Sequence, residues 1–208
     1  MGFIHPKPVV VSINPYNPQK RLIKIVVDIL QRGGIVCYPT DTSYGIGCSL
    51  YIKGSIEKIY NLKRRPISSP FSFVCDSLSE ISKYCIVSNY AYRVLNKVLP
   101  GPYTFILPGT KLVPKIMLTN RKTVGIRVPK NEVCIQLVKN LGNPIINTSA
   151  EESDPLTIAE KYKAYLDVVI NAGIIPVEYS SIISLIDDVP KVLRVGKGDV
   201  SMFLVEGE

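Results

Sequence analysis

Histidine is almost missing from this sequence: His5 is the only one, in a Pro-rich segment expected to be irregular. Its scarcity removes most histidine-based acid–base catalysis and the common histidine metal sites, so no metal site is expected. Any chemistry has to run on Lys, Arg, Ser, Thr and carboxylates. Paired cysteines are missing too. Cys37, Cys48, Cys75, Cys85 and Cys134 are isolated, odd in number and without a C-x-x-C spacing. That pattern fits buried free thiols in a reducing compartment better than disulfides or zinc. No stretch of about 18 apolar residues exists, which argues against a membrane span. Met1-Gly2-Phe3-Ile4-His5-Pro6 lacks a basic head followed by an apolar core, so no secretory signal is expected and the localisation reads as cytoplasmic. Repeats and low-complexity segments are also absent.

What is present is a globular composition. Hydrophobic residues make up 46% and charged residues 20% of 208 residues, enough for one generous domain with a continuous core. The organisation reads as an N-terminal extension, 1–16, followed by a single domain, 17–208. A formal charge of +8 favours an anionic partner: nucleotide, RNA or both.

Strand and helix signals alternate along the domain. Asn17-Pro18 can open a helix whose Leu22, Ile23, Val26, Val27 and Leu30 share one face up to the stop at Gly33-Gly34. Ile35 to Tyr38 reads as a buried strand broken by Pro39. Helices are expected over 55–63, 90–98 and 133–141, and after the N-cap Asp154-Pro155. Strands are expected over 71–75, 103–107, 123–128, 144–147, 168–171, 182–186 and 192–194. This succession gives an α/β sheet with helices packed on it, of undetermined strand order.

Four polar stations lie at the ends of these elements. Pro39-Thr40-Asp41-Thr42-Ser43-Tyr44-Gly45-Ile46-Gly47 follows a strand, where hydroxyls and glycines admit a small polar ligand or simply build a turn. Lys63-Arg64-Arg65-Pro66 ends a helix, and its cations suit either the helix dipole or phosphates. Arg127, between Ile126 and Val128, points to the face opposite them and needs an anion if buried, from an internal acid or a substrate carboxylate. Asn147-Thr148-Ser149-Ala150 ends another strand with hydroxyls that suit phosphate oxygens or ordinary turn bonds.

Taken together, PTDTSYGIG, the Lys63-x-Arg65 pair in KRRP, PGPYTFIL, TVGIRVP, TSA and the late VLRVG resemble the YrdC-domain family, the threonylcarbamoyl-AMP synthases. The pieces occur in family order across about residues 20–200. INPYNPQKRLI, GTKLVPKIM and RKTVGIRVP look most like the YciO-like branch. The resemblance implies an open, twisted mixed sheet with a concave basic cavity. It also implies a nucleotidyltransferase that makes threonylcarbamoyl-AMP from ATP, L-threonine and bicarbonate, with Mg²⁺ on the ATP, for a modified tRNA adenosine. No catalytic side chain is assigned, because positioning and charge neutralisation suffice for in-line transfer. Lys63, Arg65, Ser149 and Arg194 would hold ATP phosphates. Thr42, Arg127 and Ser181 would bind threonine, Ser180 and Ser181 lying where the family has a Ser-Thr pair. Partners implied include tRNA or double-stranded RNA and proteins of a threonylcarbamoyl-transferase complex. Alternatives are a YciO-like paralogue acting on the same nucleotide in another direction or on a related carbamoyl or phosphoanhydride substrate, and a non-enzymatic RNA-binding module.

Two positions depart from the family pattern. Glu151 stands where the Ser-x-Asn motif has its Asn, and an ionised carboxylate repels phosphate where an amide would donate. Val74 falls about where a His follows the Lys-x-Arg segment.

Overall fold

The computed structural model describes residues 7–204; His5 lies outside them. In chain order the elements are β1 (Val9–Ser12), α1 (Lys20–Gln31), β2 (Val36–Pro39), β3 (Tyr44–Gly47), α2 (Lys53–Lys63), β4 (Ser72–Val74), α3 (Leu78–Tyr84) and α4 (Asn89–Val98). β5 (Tyr103–Pro108), β6 (Thr123–Arg127), α5 (Glu132–Leu141), β7 (Ile145–Ser149), α6 (Pro155–Lys161), β8 (Val168–Asn171), β9 (Ser181–Ser184) and β10 (Lys191–Arg194) follow. The strands form one mixed sheet in the order β1-β8-β2-β3-β7-β4-β6-β5-β9-β10.

Alternation along the strands divides the core. On β2, Val36 and Tyr38 join Ile23, Val26, Val27 and Leu30 of α1 and Val133, Leu137 and Val138 of α5. Cys37, between them, faces the larger cluster formed with α2, α3, α4 and α6, which contains Ile46, Ile59, Phe73, Phe105 and Ile126. All five cysteines are buried free thiols. Burial pushes the Cys48 and Cys85 thiols up to about 12, so they serve as apolar filling.

The structure corrects three sequence expectations. Within the expected N-terminal extension, Val9–Ser12 is an edge strand of the sheet, paired in parallel with β8 from Val9↔Val168 to Ser12↔Asn171. The first helix opens at Lys20, because Asn14 folds the preceding segment into a turn by accepting from the N–H groups of Tyr16 and Asn17. Tyr44–Gly47 is an antiparallel strand on β2, rather than a turn. Its glycines conceal the strand pattern, and packing demands them. A Cβ on Gly47 would sit 1.9 Å from the Ile146 carbonyl oxygen, and one on Gly45 2.6 Å from Asn147 Oδ1. Helix α3, which the pattern reading passes over, is capped by Ser77, whose hydroxyl accepts from Glu80 N.

One connection shapes the functional face. Residues 172–180 run without regular structure from β8 to β9, past the six strands that separate them. On a flat sheet those strands would stand about 34 Å apart at the usual inter-strand spacing. That is about the full reach of a nine-residue connection. Ser149 of β7 and Arg194 of β10, with four strands between them, line one cavity, so the sheet curls and the segment crosses its concave side as a tie. It is fixed by Tyr44 Oη donating to Gly173 O, Ile175 N to Ser153 O, and Glu178 N to Thr42 O. Among the described residues, no helix is long and apolar enough to cross a membrane.

Candidate functional site

The concave side holds a cavity of about 480 Å³, within the range of small-molecule sites. Strand alternation makes it polar. On β5 and β6, Phe105 and Ile126 enter the core while Thr104, Gly125 and Arg127 line the cavity. Ser72 of β4 and Asn147 of β7, which pair across the sheet, extend the same lining. Tyr38 Oη donates to Asn147 Oδ1 at 2.9 Å, which leaves the Asn147 amide N–H groups as donors for the cavity.

Arg127 is the buried cation of the site. Its Nη2 donates to Asp41 Oδ1 at 2.9 Å and to Thr42 Oγ1 at 3.0 Å. Side-chain exposures of 6% for Arg127 and 10% for Asp41 make this a buried ion pair. Asp41 is tied down at its other oxygen by the Lys130 N–H. Arg127 Nε is buried without a partner. The internal acid expected for this arginine is thus Asp41, within the first polar station. Thr42 lines the cavity beside it, in a turn whose N–H groups at Thr42 and Ser43 both donate to Thr40 Oγ1.

Arg194 lies on another wall. Its guanidinium donates to the Ser180 carbonyl at 3.0 and 2.8 Å and stands 5.2 Å from the centre of the Tyr179 ring. Burial first, then the nearby Arg127 charge, lower its pKa, and Tyr179 opposes them. Arg65 completes the cationic lining. It stacks on Phe71 at 4.8 Å and donates to Pro70 O. The helix before it ends as its sequence suggests: Arg64 takes the left-handed conformation at the C-cap, and Pro66 prevents continuation.

Lys63 is placed differently. It leaves the last turn of α2 beside the cavity and is not part of its wall. Its ammonium donates to Ser149 O at 3.1 Å and to Glu151 Oε1 at 2.8 Å. Glu151 itself lines the cavity. Its backbone is left-handed, with φ 57°, and its N–H donates to Ser149 Oγ. Ser149 also lines the cavity and lies 3.3 Å from Ser43 Oγ.

Ser181 is turned away. Fully buried, it donates to Gly198 O and accepts from Gly196 N, so it holds the chain after β10. The side chain that reaches the cavity from this pair is Ser180, bonded to Thr104 Oγ1 at 2.7 Å. The structure therefore gathers Thr42, Arg65, Arg127, Ser149 and Arg194 on one cavity, places Lys63 behind Glu151, and leaves Ser181 in a structural role. Reading by motif gave no role to Asp41, Ser72, Asn147, Glu178 or Tyr179. Asp41 and Asn147 sat inside quoted stations, and strand alternation carried the signal for Ser72 and Asn147. Glu178 and Tyr179 carried none, since the tie that holds them has no periodicity.

Comparison with known proteins agrees with this fold. The family model Sua5_yciO_yrdC, described as "Telomere recombination", matches residues 28–196. The chain is 41% identical over 200 residues to the Escherichia coli (strain K12) "Uncharacterized protein YciO", covering 92% of this chain and 97% of that one. The crystal structure of E. coli YciO superposes with a TM-score of 0.91 at 40% identity, over 95% of this chain and 100% of that one. The Hydrogenovibrio crunogenus threonylcarbamoyl-AMP synthase is 33% identical over 144 residues, 66% of this chain and 77% of that one. Pyrococcus abyssi Sua5, complexed with L-threonine, shares the fold at a TM-score of 0.83 and 23% identity, over 90% of this chain and 57% of that one. The chain is related to the threonylcarbamoyl-AMP synthases and belongs to the Sua5/YciO/YrdC family.

Proposed function

We propose that this cavity handles threonylcarbamoyl-AMP, forming it from ATP, L-threonine and bicarbonate. One observation carries the reading: Arg65, Arg127 and Arg194 converge on a single hydroxyl-lined cavity of about 480 Å³, roomy enough for a nucleotide joined to an amino acid. Threonine's amine and bicarbonate give a carbamate and water. A carbamate oxygen then bonds to the α-phosphorus as the bond to the departing pyrophosphate breaks. The reaction forms no bond to the protein, so these residues bind, orient and neutralise charge. Arg127, fixed by Asp41 and Thr42, is the group for the threonine carboxylate; the same fold in Pyrococcus abyssi Sua5 is complexed with L-threonine. Arg65, Ser149 and Arg194 serve the nucleotide phosphates. Mg²⁺ enters with ATP, held by phosphate and water. The product would feed modification of a tRNA adenosine.

Incubating the protein with ATP, threonine and bicarbonate should give threonine-dependent pyrophosphate and the adenylate, resolved by chromatography. Absence of that product at enzyme concentrations matching the expected yield would overturn synthesis. A second reading, action on the same adenylate in the opposite direction, is favoured by the Lys63–Glu151 ion pair, which removes a cation from the triphosphate end. Supplying threonylcarbamoyl-AMP and following its loss distinguishes the two.

A further inference from the structure

We infer that Glu151 is a specificity-determining residue: its carboxylate, seated on the Lys63 ammonium, makes the cavity select ligands with a single phosphate group over nucleoside triphosphates. The inference rests on reading the cavity as a nucleotide site. Lys63 is the cation that a phosphate chain would need beyond Arg65, and two of its three N–H donors are engaged, by Ser149 O and Glu151 Oε1. The carboxylate is built in. The Glu151 backbone is held left-handed while its N–H donates to Ser149 Oγ, so the hydroxyl suited to phosphate helps to present the competing anion.

Charge on the cavity wall points the same way. Of the lining cations, Arg127 is matched by buried Asp41, which leaves Arg65 and Arg194 without carboxylate partners among the described residues. Of the lining acids, Glu178 is matched by Lys197 and Glu151 by Lys63. Two such guanidinium groups suit a single phosphate group, which carries one charge in an acyl-adenylate and up to two in AMP. A triphosphate brings several, and its outer phosphates would have to displace Glu151 or lie against it. Substituting Gln keeps the size of the side chain and removes the competing charge.

The test is equilibrium binding, by calorimetry, of AMP, ATP and inorganic tripolyphosphate to the intact protein and to Glu151→Gln, in buffer with Mg²⁺. The intact protein should bind AMP at least as tightly as ATP. Glu151→Gln should tighten ATP and tripolyphosphate about tenfold or more, the scale of one charge-assisted hydrogen bond, and shift AMP far less. An unchanged ratio of ATP to AMP affinity in the variant, with both nucleotides bound, overturns the inference and leaves the nucleotide reading standing. No binding of either nucleotide to either protein overturns both.

Discussion

The cavity is flanked by two ion pairs that look alike in distance and differ in everything else. Arg127–Asp41 closes at 2.9 Å and Lys63–Glu151 at 2.8 Å. The first is buried on both sides, and its acid has a second donor in the Lys130 N–H. The second joins a Lys whose side chain is 14% exposed to a Glu that is 53% exposed. Desolvation decides the outcome. A buried charge deprived of its partner stays uncompensated; the exposed Glu151 carboxylate is rescued by water, and Lys63 keeps the Ser149 carbonyl as an acceptor. One pair therefore belongs to the framework that positions the site, and the other is a contact that a ligand can replace.

Removing Asp41 is the strongest way to break this contrast. Asp41→Ala should cost about 3–5 kcal/mol, because it strands a buried guanidinium that already has an unpartnered Nε. The urea midpoint reads that loss. The double replacement Asp41→Leu with Arg127→Leu should recover much of it, since no buried charge then remains. A loss under about 1 kcal/mol for the single variant would put Arg127 in the same class as Lys63.

The two pairs were also unequally readable in the sequence. That Arg127 needs an anion follows from its place between two core residues on a strand, and the pattern put it on the correct face. Which anion could not be read. Asp41 lies in the turn between β2 and β3, and only the folded sheet, with β7 and β4 between β3 and β6, brings that turn to Arg127 at the end of β6. Glu151 was visible as an acid among phosphate-binding residue types. Its partner was not, because the left-handed turn that aims it at Lys63 leaves no sequence period. Long amphipathic elements such as α1, α4 and α5 were legible from their apolar spacing. β3 was hidden by glycines required for close packing, and β1 by the prolines on either side of it, Pro8 and Pro15.

Glu80 sharpens the comparison from a distance, as a buried acid that forms no salt bridge among the described residues. Burial pushes its pKa up from 4.5 to about 7; the Asp76 N–H, which donates to it, and Lys83 only partly offset this, with the Asp76 carboxylate and Cys75 beside it. Because the folded pKa is the higher one, the folded state keeps a proton that the unfolded chain has released between these values. Its contribution is complete below about pH 4.5 and is lost as pH rises through 7, by roughly 2–3 kcal/mol. Urea midpoints across pH 5–8 should fall for this reason, and Glu80→Gln should flatten that part of the profile. An unaltered profile in the variant would show that Glu80 is solvated well enough to ionise freely.

The smallest effects belong to Glu151, and they separate its charge from its backbone. Glu151→Gln removes the ion pair and keeps a side chain at φ 57°, so its stability should stay within about 1 kcal/mol of the intact protein. Glu151→Gly removes the same ion pair and also relieves the left-handed conformation, which costs an L-residue about 1–2 kcal/mol. Glycine returns part of that gain through its freer unfolded chain. The Gly variant should therefore exceed the Gln variant by up to about 1 kcal/mol in thermal or urea unfolding. If Glu151→Gln instead lost several kcal/mol, the Lys63 pair would be a structural bridge of the Arg127 kind. A ligand phosphate would then have to break part of the fold to reach Lys63. A near-neutral Glu151→Gln leaves the lysine free to exchange one anion for another, as selection at this wall requires.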